Sequence, residues 1–550
     1  MIKKLITISL ALAAILGYTS EAQACTSLLA GTKATIDGST LITYAADAHT
    51  LYGALKFIPA ATHKPGAMRE VRDWDTNKHW GFIPEKEQTY KVMGNMNEHQ
   101  LTITESTWTC KEELVDTTGI IDYGSLIYIT LQRAKTAREA IKVMTDLVAE
   151  YGYNSHGESF SIGDPNEIWV MEMCGKGGKE KGAVWVARRI PNDCISGHAN
   201  APRIHTFPLN DSENCIYAKD VISFARKMKY FKGKDEDFDF AKTYGFWDYL
   251  AYRGCDARVW AFFNRYCDGM EKYLPYIDGE ENAEVLPLYV KPNKKVTPRD
   301  LQNMMRDHFE GTPLDMTKDA GSKIFWDSPY RFRPMNFDVD GKTYFNERAI
   351  ATQQTAFVLV SQMRSWLPNA IGGIHWFGVD DAATNVFVPL YCCLTSAPKS
   401  YSESTADLYN FSLESAFWVN NWVANQAYGR YSLMIDDILK VQKSLEDSFE
   451  QNMSFIENEA ARLYKESPQK AIDYLNNYSH FVAEKATTSY RKLGEYLLVK
   501  YLDGNRKKEE NGQFKRNEDG LPVQPDFPGY NQEYYNAIVR DAGDRLKMKF

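Results

Sequence analysis

Three spacings of apolar residues divide this chain. The first is an unbroken run from Leu5 to Leu16, preceded by Lys3 and Lys4 and followed by Ala22-Gln23-Ala24. A basic start, an apolar middle and a small-x-small end predict a secretory signal over residues 1–24, cut just before Cys25. The second spacing is short and strand-like. Residues 25–31 (CTSLLAG) and 39–44 (STLITY) read as two strands joined by an Asp37-Gly38 hairpin signal. Residues 100–107 (QLTITEST) alternate as a half-buried strand does, and residues 167–173 and 183–190 form two further strand-like runs around a loop at 175–182. The third spacing is helical. Thr136 and Glu139 make a capping-box pattern before apolar positions Ala140, Ile141, Met144, Leu147 and Val148. From Glu414 helix formers dominate, with helices predicted over residues 423–445 and 448–502 and Ser467-Pro468 starting a new one. Residues 503–527 are polar and rich in breakers, hence a loop. The prediction is an α+β unit over residues 25–413 followed by a helical portion and tail over residues 414–550.

Size and composition narrow the class. A chain of 550 residues exceeds what one core usually supports, so two units, or one with an appendage, are expected. A net charge of −8 argues against nucleic-acid or anionic-membrane partners, which need clustered positive charge. After the signal no apolar stretch approaches the length of a membrane span, so a periplasmic or secreted protein is predicted. All nine cysteines follow the signal, and in an oxidising compartment the odd count suggests one working thiol and up to four bridges. The glycine-lysine loop lacks the phosphate-loop order, and Asp235, Asp237 and Asp239 do not continue into a calcium loop.

Cys25 carries the chemistry. Cutting after Ala24 places a thiol and a free α-amine on one residue. A thiol with an ordinary pKa near 8.5 is only slightly ionised at neutral pH, and an α-amine near 7.7–8.0 can take its proton. None of the ten histidines falls in a metal-protease or papain-type signature; His198 stands out only for its neighbourhood.

Cys25-Thr26 with Gly31, Asp37-Gly38-Ser39 and Asp47 resembles the start of the dipeptidase A-type cysteine peptidases, which are amino-terminal-nucleophile (Ntn) hydrolases. Further stretches agree in order: Met96-Asn97-Glu98, Glu105-Ser106-Thr107, Gly157-Glu158-Ser159-Phe160, His198-Ala199-Asn200 with Arg203, Arg306-Asp307-His308 and Gly372-Gly373-Ile374-His375-Trp376. The resemblance implies an αββα sandwich of two antiparallel sheets between helices. It implies an exported dipeptidase acting on small peptides, with no metal or organic cofactor and with homo-oligomerisation left open. Catalytic roles fall on Cys25, on Asp47 holding its amino end, and on Asn97 and Asn200 orienting the amine and forming the oxyanion hole. Tyr44, His198 and Arg203 are assigned to substrate binding. Tyr44 stands where relatives carry an arginine, and Arg203 and Arg348 are the candidates for the missing charge, each with a structural salt bridge as its other role. Glu105, Glu158 and Trp169 are read as supporting packing and hydrogen bonding, outside the catalytic set. The alternatives are an N-acyl amide hydrolase, like bile-salt hydrolase or penicillin V acylase, and a non-catalytic surface lipoprotein anchored at Cys25.

Overall fold

The computed structural model describes residues 25–549 apart from 179 and 325, so the signal predicted over residues 1–24 lies outside the described residues. The strands that build the site are β1 (Ser27–Ala30), β2 (Thr40–Asp47), β3 (Thr102–Trp108), β4 (Gly157–Gly163), β5 (Ile168–Gly175), β6 (Ala183–Ile190), β7 (Ile195–His198), β8 (Thr355–Met363), β9 (Ile374–Val379) and β10 (Val388–Tyr391). The main helices are α1 (Tyr123–Leu131), α2 (Ala137–Tyr151), α3 (Ala257–Tyr266), α4 (Ala416–Tyr428), α5 (Tyr431–Glu466) and α6 (Pro468–Lys500).

The strands form two open antiparallel sheets, which makes the fold α+β. The first runs Tyr289–Val290, β7, β1, β2, β8, β9, β10. The second runs Cys215–Tyr217, β6, β5, β4, β3 and then three two-residue strands. Residues of the two sheets meet directly: Ser27 and Thr104 share a hydroxyl hydrogen bond of 3.2 Å, and Thr40 donates to the Asp164 carbonyl at 2.7 Å. An apolar cluster of Ile103, Leu126, Met144, Phe160, Ile162 and Trp169 joins the second sheet to α1 and α2. A larger cluster includes Leu28, Ile42, Val358, Leu390, Val423, Leu475 and Leu497, so the helical portion shares its core with the first sheet.

Local reasons for these elements are visible. In the β1–β2 hairpin Leu29 pairs with Ile42 and Ala30 with Leu41. Asp37 accepts from the Ser39 N–H at 3.0 Å, and Gly38 takes the left-handed φ of 86° that the turn needs. The connection is longer than a two-residue turn, because residues after Gly31 are tied to Asn192. A Cβ on Gly31 would stand 2.6 Å from the Asn192 carbonyl, which is why only glycine ends β1. Thr136 caps α2 by accepting from Glu139 N–H, while the Glu139 carboxylate reaches one residue further back, to Lys135 N–H at 2.8 Å. β5 and β6 pair from Ile168–Ile190 to Gly175–Ala183, closing the predicted glycine-rich loop.

Two expectations need correcting. The helical portion does not break between residues 445 and 448. α5 is continuous, and the break falls at Gly429-Arg430, while Ser467 and Pro468 do start α6. Glu446, 1% exposed, explains the continuity. It is bound by Arg299 and Arg306 and accepts from Phe387 N–H at 2.9 Å, so this stretch of α5 is pinned to the α+β unit. Nor are there bridges: all nine cysteines are free thiols, each buried.

Candidate active site

The hairpin puts Cys25 at the start of β1, where Thr26 bridges to Ala45 of β2. Its thiol is 3% exposed, 3.4 Å from Glu105 Oε1 and 3.7 Å from the Tyr44 hydroxyl. Tyr44 in turn donates to the same Glu105 oxygen. Burial, then the charges of Glu105 and Asp47, push the Cys25 thiol well above its ordinary pKa; the Asp47 N–H and the Tyr44 hydroxyl offset part of this. While Cys25 follows Ala24 in an amide bond, its sulfur is therefore a neutral thiol and needs a base.

Guanidinium groups hold the Cys25 carbonyl and Asp47. Arg258, in the first turn of α3 and 1% exposed, donates to the Cys25 carbonyl and to Thr26 Oγ1, both at 2.7 Å. It also donates to the Ala199 carbonyl and Asn200 Oδ1, both at 2.9 Å, and to the Gly254 carbonyl at 2.8 Å. Burial and then the nearby Arg348 lower it to about 10, which leaves it charged at neutral pH. Arg348 is ion-paired with Asp47, whose other oxygen accepts from Thr355 Oγ1 at 2.6 Å. Asp47 is thus fixed at the end of β2 by residues some 300 positions away in sequence.

Asn200 joins this group. Its Nδ2 donates to the Thr107 carbonyl at 2.7 Å, and its backbone takes the left-handed φ of 64° that asparagine tolerates. Asn97, His198 and Arg203 make contacts away from the Cys25 sulfur. Asn97 Nδ2 donates to the Leu131 and Ala134 carbonyls, both at 2.7 Å, and its Oδ1 accepts from the N–H groups of His99 and Leu101. No hydrogen bond joins it to Cys25 among the described residues. His198 is clamped at both ring nitrogens by Ser106 and Ser161, each at 2.6 Å. Arg203 donates to the Gly197 and Pro287 carbonyls and faces Asp256 at 3.3 Å.

Burial holds His198 neutral, its pKa lowered to about 3, with Arg203 and Arg258 acting the same way. An unfolded chain takes up that proton near 6.5. The stability the neutral ring contributes is therefore complete above about pH 6.5 and lost as pH falls toward 3. In His198→Gln the unfolding free energy, followed by urea titration from pH 6 to 4, is expected to fall less steeply than in the parent, by about 1.4 kcal/mol per pH unit. Equal slopes would mean the ring is protonated in the fold.

Two further groups touch Cys25: Glu105, which the sequence reading placed among the supporting residues, and Arg258, which it missed. A signal existed for each. Glu105 occupies the same alternation phase as Leu101 and Ile103, and Arg258 opens the apolar run ARVWAFF. A charge in an apolar slot is costly unless it has work to do. Among the described residues no three His, Cys, Asp or Glu side chains are grouped to hold a metal, and no helix is long and apolar enough to cross a membrane.

The sequence is similar to those of several dipeptidases. The chain is 25% identical to a probable dipeptidase of Latilactobacillus sakei over 450 residues, covering 78% of this chain and 86% of that one. It is 25% identical to dipeptidase A of Lactobacillus helveticus over 460 residues, 78% and 85% of the two chains. It is 23% identical to a dipeptidase of Bifidobacterium longum over 445 residues, 74% and 78% of the two. Residues 24–444 match the family model of peptidase family C69, a stretch that begins one residue before Cys25 and ends within α5. This chain belongs to peptidase family C69.

Proposed function

We propose that the protein is an exported cysteine dipeptidase of the Ntn type, matured by removal of residues 1–24. The observation that carries this reading is the surroundings of Cys25: a buried thiol at the head of β1, flanked by Asp47, Asn200 and Arg258, in a chain whose family match starts beside it. The names of the relatives supply dipeptides as the substrate class. The two sheets with helices packed against each are the layers an αββα sandwich requires.

In the proposed reaction the freed Cys25 α-amine takes the thiol proton, and sulfur attacks the scissile carbonyl carbon. Negative charge gathers on the carbonyl oxygen, opposite an Asn200 amide N–H and a backbone N–H. Such preset donors are each worth about 10²–10³ in rate. The C–N bond then breaks, the α-ammonium returns its proton to the leaving amine, and a thioester remains. Water, giving a proton to the α-amine, hydrolyses the thioester and frees the acid and the thiol. Asp47, tied down by Arg348 and Thr355, steadies the amino end, and Arg258 fixes the Cys25 carbonyl so that the residue cannot rotate away.

Intact-mass measurement of protein secreted from its host is expected to give a chain starting at an unmodified Cys25, active on a panel of free dipeptides. A diacylglyceryl mass on Cys25, or turnover of N-acyl amides without any dipeptide, would replace this reading with one of its rivals.

A further inference from the structure

Glu105 is not alone beside the thiol. It lies on β3 two positions before Thr107, which pairs with Glu158 of β4, so the two carboxyl groups sit diagonally on one face of the same sheet. Both residues are buried, at 2% and 0% exposure. No Lys, Arg or His forms a salt bridge with either among the described residues, in contrast to Asp47 and Glu446. The two carboxyl groups and the Thr107 hydroxyl face one another, and no cation or other donor reaches Glu105 Oε2 or either oxygen of Glu158. Leaving buried carboxyl oxygens without donors is costly, and folds rarely tolerate it without a reason.

Geometry supplies one. A substrate carbonyl under attack by Cys25 has its carbon about 3–3.5 Å from sulfur. The α-nitrogen of the same amino acid is two bonds further on, about 2.5 Å from that carbon. A group 3.4 Å from the sulfur, as Glu105 Oε1 is, lies within reach of that nitrogen. A free amino terminus arrives as an ammonium with three N–H donors, and the pair offers it carboxyl oxygens that no cation holds. The guanidinium side of Cys25 would repel the same group.

We propose, resting on the dipeptidase reading above, that the Glu105–Glu158 carboxyl pair receives the free α-ammonium of the residue whose carbonyl Cys25 attacks, and so selects substrates with an unblocked amino terminus. Burial, and then the adjacent Glu105, push the Glu158 carboxyl well above its ordinary pKa. Two adjacent buried carboxyls resist ionising together, and an incoming ammonium favours their charged form, so binding weakens as pH falls.

The test compares L-alanyl-L-alanine with L-lactoyl-L-alanine, in which a hydroxyl replaces the ammonium at nearly constant size, using the processed enzyme. The parent enzyme is expected to favour the free amine by about a hundredfold in kcat/KM, the scale of a lost buried charge pair. Its KM for the dipeptide rises as pH falls, whereas that for the lactoyl compound does not. In Glu158→Gln the preference drops to within a few-fold of unity and the pH dependence of KM flattens, while Glu158→Asp recovers part of both. Equal use of the two compounds by the parent enzyme overturns the proposal without involving any variant that must fold. So does a Glu158→Gln enzyme that loses both substrates equally, which would mark a structural role. If the parent turns over no dipeptide at all, the dipeptidase reading itself has failed, and the two failures are distinct.

Discussion

Cys25→Ala is expected to lower dipeptide hydrolysis by at least about four orders of magnitude, with little change in stability. The magnitude follows from nucleophile deletions in covalent hydrolases, which cost about 10⁴–10⁶ in kcat because the remaining groups have nothing to activate. Here Tyr44, Glu105 and Asn200 all survive the change, yet none replaces the sulfur. Alanine is smaller than cysteine by one sulfur atom, and the site loses only the weak contacts to Tyr44 and Glu105. Unfolding in urea should therefore shift by about 1 kcal/mol or less. Cys25→Ser should fall between the two, since a hydroxyl is much harder than a thiol for an α-amine to deprotonate. Initial rates on the dipeptide panel, with the chain start verified by mass, decide the matter. Undiminished turnover by the alanine enzyme would end the mechanism.

The second large effect is expected at Arg258, where both activity and stability fall. Its guanidinium serves five acceptors at 2.7–2.9 Å, none in strand pairing: the carbonyls of Cys25, Ala199 and Gly254, Thr26 Oγ1 and Asn200 Oδ1. Arg258→Met fills the volume but leaves these acceptors unpaired, and about 3–5 kcal/mol of stability should go with them. The same change releases Asn200. In the proposed mechanism Asn200 keeps its Thr107 contact but loses the anchor on Oδ1, so its N–H is no longer fixed toward the oxyanion, at about 10²–10³ in kcat. Arg258→Lys should rescue little, because an ammonium offers three donors from a point rather than five in a plane. Urea midpoints and kcat/KM for both variants check this; a methionine variant as fast and as stable as the parent would show that the cation is incidental.

What could be read from sequence was whatever is written in neighbouring residues. The β1–β2 hairpin, the β5–β6 hairpin and capped α2 each carry their own periodicity and turn chemistry, and each formed. Cys25 was identified because the features around it are contiguous. The rest of the site is non-local. Asp47 meets Arg348 across 301 positions and Cys25 meets Arg258 across 233, separations that no window detects. Tyr44 shows the limit. Its departure from the usual arginine was visible, but its partner Glu105, on another sheet, was not. Of the arginines near that gap, Arg258 holds the Cys25 carbonyl, Arg348 pairs with Asp47, and Arg203 binds backbone carbonyls and faces Asp256. The continuous α5 was misread for the same reason: Glu446 is held by residues outside its own helix.

Cys25 meets a guanidinium at its carbonyl and a carboxyl group at its sulfur. Across a few ångströms of low-dielectric interior this is a standing electric field, and it has a direction. A dipeptide is itself a dipole, positive at its head and negative at its tail. Entering head toward the carboxyls it aligns with that field, and its developing oxyanion points to the cationic flank. Entered the other way round, it would meet like charge at the carboxyl pair. On the proposed reading the chain would then read peptides in one sense only, before any side-chain pocket is consulted.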